Sequence, residues 1–90
     1  MPEARYILVY RQSVEKDLRK LSKTLRIAII RKIQALAIEP LPSGSVKLRA
    51  SKDLYRIRHT DYRIVYQLDK GELIVLVVKV GHRREIYRDF

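Results

Sequence analysis

The residues best suited to chemistry in this sequence are cations. Arg56, Arg58 and Arg63 crowd the stretch "YRIRHTDYRIVYQL", and His82, Arg83, Arg84 and Tyr87 crowd the closing "VGHRREIYRDF". A guanidinium is planar, offers paired N–H donors and keeps its charge at any working pH, which suits it to holding a phosphate. Imidazole titrates near neutrality. A phenol beside arginines can stack a base while the cations hold its phosphates.

Spacing decides whether the arginines share a face. If Thr60-Asp61 is a two-residue turn, His59 pairs with Tyr62, Arg58 lies opposite Arg63 and Arg56 lies opposite Val65. Alternation then sends Tyr55, Ile57, Ile64, Tyr66 and Leu68 to one side of the hairpin and the three arginines to the other. Like charges opposed across a ladder cost several tenths of a kcal/mol, roughly, and an RNA backbone would offset that cost. A turn one residue longer would move Arg63 off the face. The alternative is a solvated basic surface paired with Asp53, Asp61 or Asp69, with Tyr87 closing the sheet edge as a core residue.

The elements that must position these residues follow from periodicity. "RYILVY" is rich in β-branched and aromatic residues and reads as a first strand, Arg5 to Tyr10. Ser13 suits an N-cap for a short helix over Val14 to Leu21, in which Val14, Leu18 and Leu21 share a face. A longer helix over Lys23 to Ile38 carries the stripe Leu25, Ile29, Ile30, Ile33, Leu36 and Ala37, and Pro40 stops it. Its cations, with Arg19 and Lys20 before them, read as a solvated surface. After the turn formers of "EPLPSGS" come a short strand in "VKLRA" and a β-meander: Leu54 to His59, Tyr62 to Leu68, a turn at Lys70-Gly71, then Glu72 to Val80, ended by Gly81. "ELIVLVVKV" is apolar on both faces, as a central strand covered on both sides should be. The expected architecture is α+β, β-α-α-β-β-β, with two N-terminal helices packed on one face of a mostly antiparallel sheet.

Composition narrows the function classes. The chain has 90 residues, enough for one compact domain spanning 1–90. Twenty Lys/Arg against ten Asp/Glu give a net charge of +10, which points to a polyanionic partner. There is no cysteine, so disulfides, thiolate nucleophiles and sulfur-ligated metals are excluded, and two histidines are too few for a dedicated zinc site. No cofactor or metal is expected. The N-terminus lacks the pattern of a signal peptide, no segment approaches the ~20 apolar residues of a membrane span, and neither helix is basic and amphipathic enough for a membrane surface. The expected location is the cytoplasm.

The ordered segments "KLR", "LYRIR", "YRIVYQ" and "IVLVVKVGHRREIY" resemble the RelE/ParE superfamily of toxins from type II toxin–antitoxin modules, and its RelE branch in particular. The likeness runs through nearly the whole chain and is strongest from Lys47 to Tyr87. It implies a RelE-like fold and a metal-independent endoribonuclease that cuts mRNA in the ribosomal A site. The implied partners are the ribosome and its mRNA, and a RelB-like antitoxin whose acidic or amphipathic segment wraps the toxin in a hetero-oligomer.

The resemblance also assigns residues. It carries catalytic roles to Arg56, Arg58, Arg63, Arg83 and Tyr87 and matches Arg49 to a basic residue near the same site; Lys47, Arg49 and Arg84 are expected to contact RNA. The best-known members have lysines where Arg56 and Arg58 stand, and arginine hardly gives up its proton. The general base is therefore Tyr87, His82, or no side chain at all. The short tail after Tyr87 implies no terminal helix. A ParE-like inhibitor of DNA gyrase and a non-catalytic nucleic-acid-binding module are the alternatives, and the arginine array counts against the first.

Overall fold

The computed structural model describes residues 5–48 and 53–86. The elements are β1 (Ile7–Tyr10), α1 (Gln12–Arg19), α2 (Lys23–Ala35), β2 (Val46–Lys47), β3 (Leu54–His59), β4 (Tyr62–Asp69), β5 (Ile74–His82) and α3 (Arg83–Ile86). They form one five-stranded sheet in the order β1-β5-β4-β3-β2, in which only the β1–β5 pair is parallel. The expected α+β class and mostly antiparallel sheet describe this arrangement. Among the described residues no helix is long and apolar enough to cross a membrane.

Strand alternation divides the apolar residues between two layers. Ile57, Ile64, Tyr66 and Leu68 of the meander and Val75, Val77 and Val80 of β5 meet Val14 and Leu18 of α1 and Ile29, Ile33 and Leu36 from α2 and its end. On the opposite face Val65, Val78 and Ile86 form a smaller cluster with Leu48, Leu54 and Leu76 against it. The strand "ELIVLVVKV" is thus covered on both sides, by helices on one and by α3 on the other.

Several boundaries differ from expectation for physical reasons. The first helix begins at Gln12 behind Arg11, with no side-chain cap, so Ser13 lies inside the first turn and is not the N-cap. Ser22 does cap α2: its hydroxyl accepts from the Leu25 N–H at 3.3 Å. That helix ends at Ala35 rather than Ile38, because Leu36, Ala37 and Ile38 donate to carbonyls three residues back in tightened turns. The last strand starts two residues late and runs through Gly81 to His82. Leu73 delays its start by adopting a left-handed φ of 57° in the preceding turn. A single helical turn, Arg83–Ile86, follows the strand and seats Ile86 on the second cluster, while the tail after Tyr87 lies outside the described residues.

One buried charge belongs to this framework. Strand β1 stops at Tyr10, which leaves the edge of β5 unpaired beyond Val77. Asp17 of α1, only 8% exposed, fills that gap. Its carboxylate accepts from the Val80 N–H at 3.2 Å and from Lys79 Nζ at 3.1 Å. A buried charge is tolerable only when its lone pairs are used in this way.

Candidate active site

The hairpin β3–β4 has the register that the sequence implies: His59 faces Tyr62, Arg58 faces Arg63, Ile57 faces Ile64 and Arg56 faces Val65. Burying Ile57 and Ile64 under the helices fixes that register, because a one-residue slip would drive the arginines into the core. The two-residue turn holds Thr60 at a φ of 53°, which a β-branched residue adopts at a cost. Arg63 supports it. Its Nη1 donates to the carbonyls of Thr60 at 3.2 Å and Tyr62 at 3.1 Å, while the Thr60 hydroxyl donates to the His59 carbonyl.

Arg83 joins the group from β5's end. Its backbone N–H donates to the Asp61 carbonyl at 2.7 Å, and its Nε lies 3.7 Å from the Asp61 carboxylate, so the hairpin tip holds it in place. Burial pushes the Arg63 guanidinium below its usual pKa, and the charges of Arg56, Arg58 and Arg83 push in the same direction against the opposing pull of Asp61. Arginine stays charged through such a shift. The shift reflects first the burial of a residue that is 9% exposed and then the positive charges around it. Arg63 Nε is buried with no hydrogen-bond partner among the described residues, a situation that costs about 1–3 kcal/mol.

A cavity of about 550 Å³ opens beside this group, between α2, the loop that follows it and β3. Lys32, Glu39, Arg56, Arg58 and Arg63 all line it. Lys32 reaches across from α2 to donate to the Arg58 carbonyl at 2.7 Å. Sequence reasoning placed Lys32 on a solvated helix surface and did not consider Glu39. The available signal was their spacing from Ala35, which runs along one side of the α2 stripe towards Pro40.

The structure brings Arg56, Arg58, Arg63 and Arg83 together, with Arg84 exposed beside Arg83 on α3. It does not bring His82 to them. His82 pairs with Tyr62 on the helix-covered face, and the two rings meet edge to face at 5.5 Å. Its Nδ1 accepts the Arg84 backbone N–H at 3.2 Å, so the neutral ring carries its proton on Nε2 and its lone pair is in use. Lys47 is also apart: it faces Tyr55 and lines a cleft with Asp53, Gln67 and Asp69. Arg49 and Tyr87 lie outside the described residues. Among the described residues no three His, Asp or Glu side chains converge to hold a metal.

The structure is thus an α+β domain that gathers four guanidinium groups at one end of a β-meander. The chain belongs to the family described as the ParE toxin of type II toxin–antitoxin systems, whose model matches residues 6–87. Individual relatives place it on the RelE side of that family. A RelE-like toxin protein of Escherichia coli is 37% identical over 88% of this chain and 84% of its own length. The mRNA interferase toxin RelE of Escherichia coli strain K12 is 33% identical over 93% of this chain and 92% of its own. Among solved structures, the archaeal RelE–RelB complex of Pyrococcus horikoshii OT3 contains a chain that superimposes with a TM-score of 0.80 at 27% identity, covering 90% of this chain and 98% of that one.

Proposed function

We propose that this chain is the toxin of a type II toxin–antitoxin module and a metal-independent endoribonuclease that cuts mRNA in the ribosomal A site. The observation that carries the reading is Arg63: nine-tenths buried, its Nε without a partner among the described residues, and surrounded by Arg56, Arg58 and Arg83. A site held so far from charge balance is complementary to a phosphate, and more so to a phosphate gaining charge in a transition state. The relationship to a protein named an mRNA interferase supports the same chemistry.

In the reaction, a ribose 2'-OH attacks the adjacent phosphorus, the bond from phosphorus to the 5'-oxygen breaks, and a 2',3'-cyclic phosphate and a 5'-hydroxyl result. Arg63 and Arg83 clamp the non-bridging oxygens, with Arg56 and Arg58 around them. Removing one such donor costs on the order of 3 kcal/mol in the barrier. Tyr87 remains the candidate for proton transfer and base stacking, whereas the engaged lone pair of His82 argues against that residue as the base. A RelB-like antitoxin with an acidic segment would neutralise the same face, and the complex would weaken as salt rises. The cytoplasm, where mRNA is translated, is the location this reading requires.

The test is cleavage mapping in a translating extract, with and without ribosomes, for the wild type, Arg83→Ala and Tyr87→Phe. Cuts confined to translated message and lost in both variants are expected. Intact message with normal translation would bring forward gyrase inhibition or simple nucleic-acid binding.

A further inference from the structure

The cavity beside the arginines is larger than a phosphate needs. Its volume of about 550 Å³ falls in the ~300–1,000 Å³ range typical of small-molecule sites. Ala35, Pro42, Val46 and Ile57 give it apolar walls, the arginines give it a cationic rim, and Glu39 is the carboxylate among the residues that line it. The loop that closes it is fixed from below, because the Tyr66 hydroxyl donates to the Pro40 carbonyl at 2.6 Å. Gly44 turns that loop at a φ of +91°, with open space on the side where a side chain would project.

We propose that this cavity receives one nucleobase of the RNA whose phosphate lies on the arginines, and that Glu39 reads the amino group of that base. The proposal rests on the ribonuclease reading above and deepens it. The cavity is continuous with the phosphate site through Arg63, which lines it while nine-tenths buried and with Nε unpartnered among the described residues. An apolar slot next to a phosphate clamp suits the flat face of a base, since every base has one. Glu39 repels phosphate, so its place in a basic cavity makes sense against hydrogen-bond donors. Carboxylates accept from exocyclic amino groups, which adenine, cytosine and guanine present and uracil lacks. The cationic rim would also suit an acidic peptide, but the arginines and the apolar walls line one and the same cavity, which favours a base joined to its phosphate.

Amide shifts of the full chain, titrated with inorganic phosphate and with the four nucleoside 3'-monophosphates, test this. Phosphate is expected to move the amides of Arg56, Arg58 and Arg63 only, and the amino-bearing nucleotides to move Ser43 and Gly44 as well. Glu39→Gln should weaken adenosine, cytidine and guanosine monophosphates at least threefold relative to uridine monophosphate, which loses only the repulsion of its phosphate and binds no more weakly than before. Ala35→Phe, which fills the cavity from the helix, should abolish the Ser43 and Gly44 shifts while the phosphate response persists. Nucleotides that act like phosphate alone, or an Ala35→Phe chain that responds as the wild type does, would overturn the base pocket and leave the arginine clamp standing. An acidic peptide moving Ser43 and Gly44 where nucleotides do not would reassign the cavity to a protein partner. If neither phosphate nor nucleotides move the arginine amides, it is the ribonuclease reading that fails.

Discussion

Two buried charges sit in this small sheet and are treated in opposite ways. Asp17, on the β5 edge, has a cation and a backbone N–H as partners, and it replaces the hydrogen bonding that β1 does not supply. Arg63, on β4, has carbonyls for one nitrogen, no partner among the described residues for another, and like charges as neighbours. The first completes the fold; the second, on the proposed function, is completed by the RNA phosphate. Burial alone therefore does not mark a functional charge, whereas burial with an unfilled valence among like charges makes one a candidate.

Substitution separates the two roles. Arg63→Ala is expected to lower mRNA cleavage by about 10²–10³-fold. Because Arg63 also steadies the turn, Arg63→Lys is the control: the charge stays and the fork is lost, so cleavage should still fall at least about tenfold while the urea midpoint holds. Asp17→Ala should do the reverse, removing about 2–3 kcal/mol of stability in urea titrations and leaving cleavage per folded molecule intact. Loss of cleavage in folded Asp17→Ala would erase the distinction.

Tyr66 sharpens it with a neutral group. Burial, and Tyr55 beside it, push its phenol up to about 12. A phenol whose folded pKa is raised favours folding below pH 10 and loses that advantage as pH climbs through 10 towards 12, by roughly 2 kcal/mol. Alkaline unfolding should therefore be steep in the wild type and shallower in Tyr66→Phe. The smallest effect belongs to His82. Lying on the helix-covered face with its lone pair engaged, it should change cleavage by less than about threefold as His82→Ala and leave the pH profile of the rate in place. A lost acid limb in that profile would show the imidazole at work on the RNA after all.

Much of this was legible in the sequence where local rules govern. The β3–β4 register could be written down because Ile57, Ile64 and Tyr66 alternate with arginines and the turn between them is short. The α2 stripe was legible because Ile29, Ile33 and Leu36 recur at helical spacing before a proline. What escaped depends on distant contacts. The sequence alone gives His82 no face, because Gly81 reads as the strand end and the bulge between Val65 and Tyr66 changes the register that would place it. Lys32 and Glu39 became site residues only through the path of the loop after α2, which a hydrogen bond from Tyr66 anchors. Ser13 looked like a cap by type alone, but the helix could start earlier once Arg11 bonded β5.

The parallel pairing of β1 with β5 also sets an order of events during synthesis. It joins strands far apart in the sequence, Ile7 beside Ile74, so β1 waits for the whole meander to be made before it finds its partner. The arginine hairpin closes over neighbouring residues and can form early, whereas Arg83 follows β5 and docks on the hairpin tip from further along the chain. A nascent or truncated chain therefore carries the positive face without its full clamp. On the proposed function, a toxin whose fourth arginine can dock only after the hairpin is made gains its full clamp late, which delays harm to the ribosome that is making it.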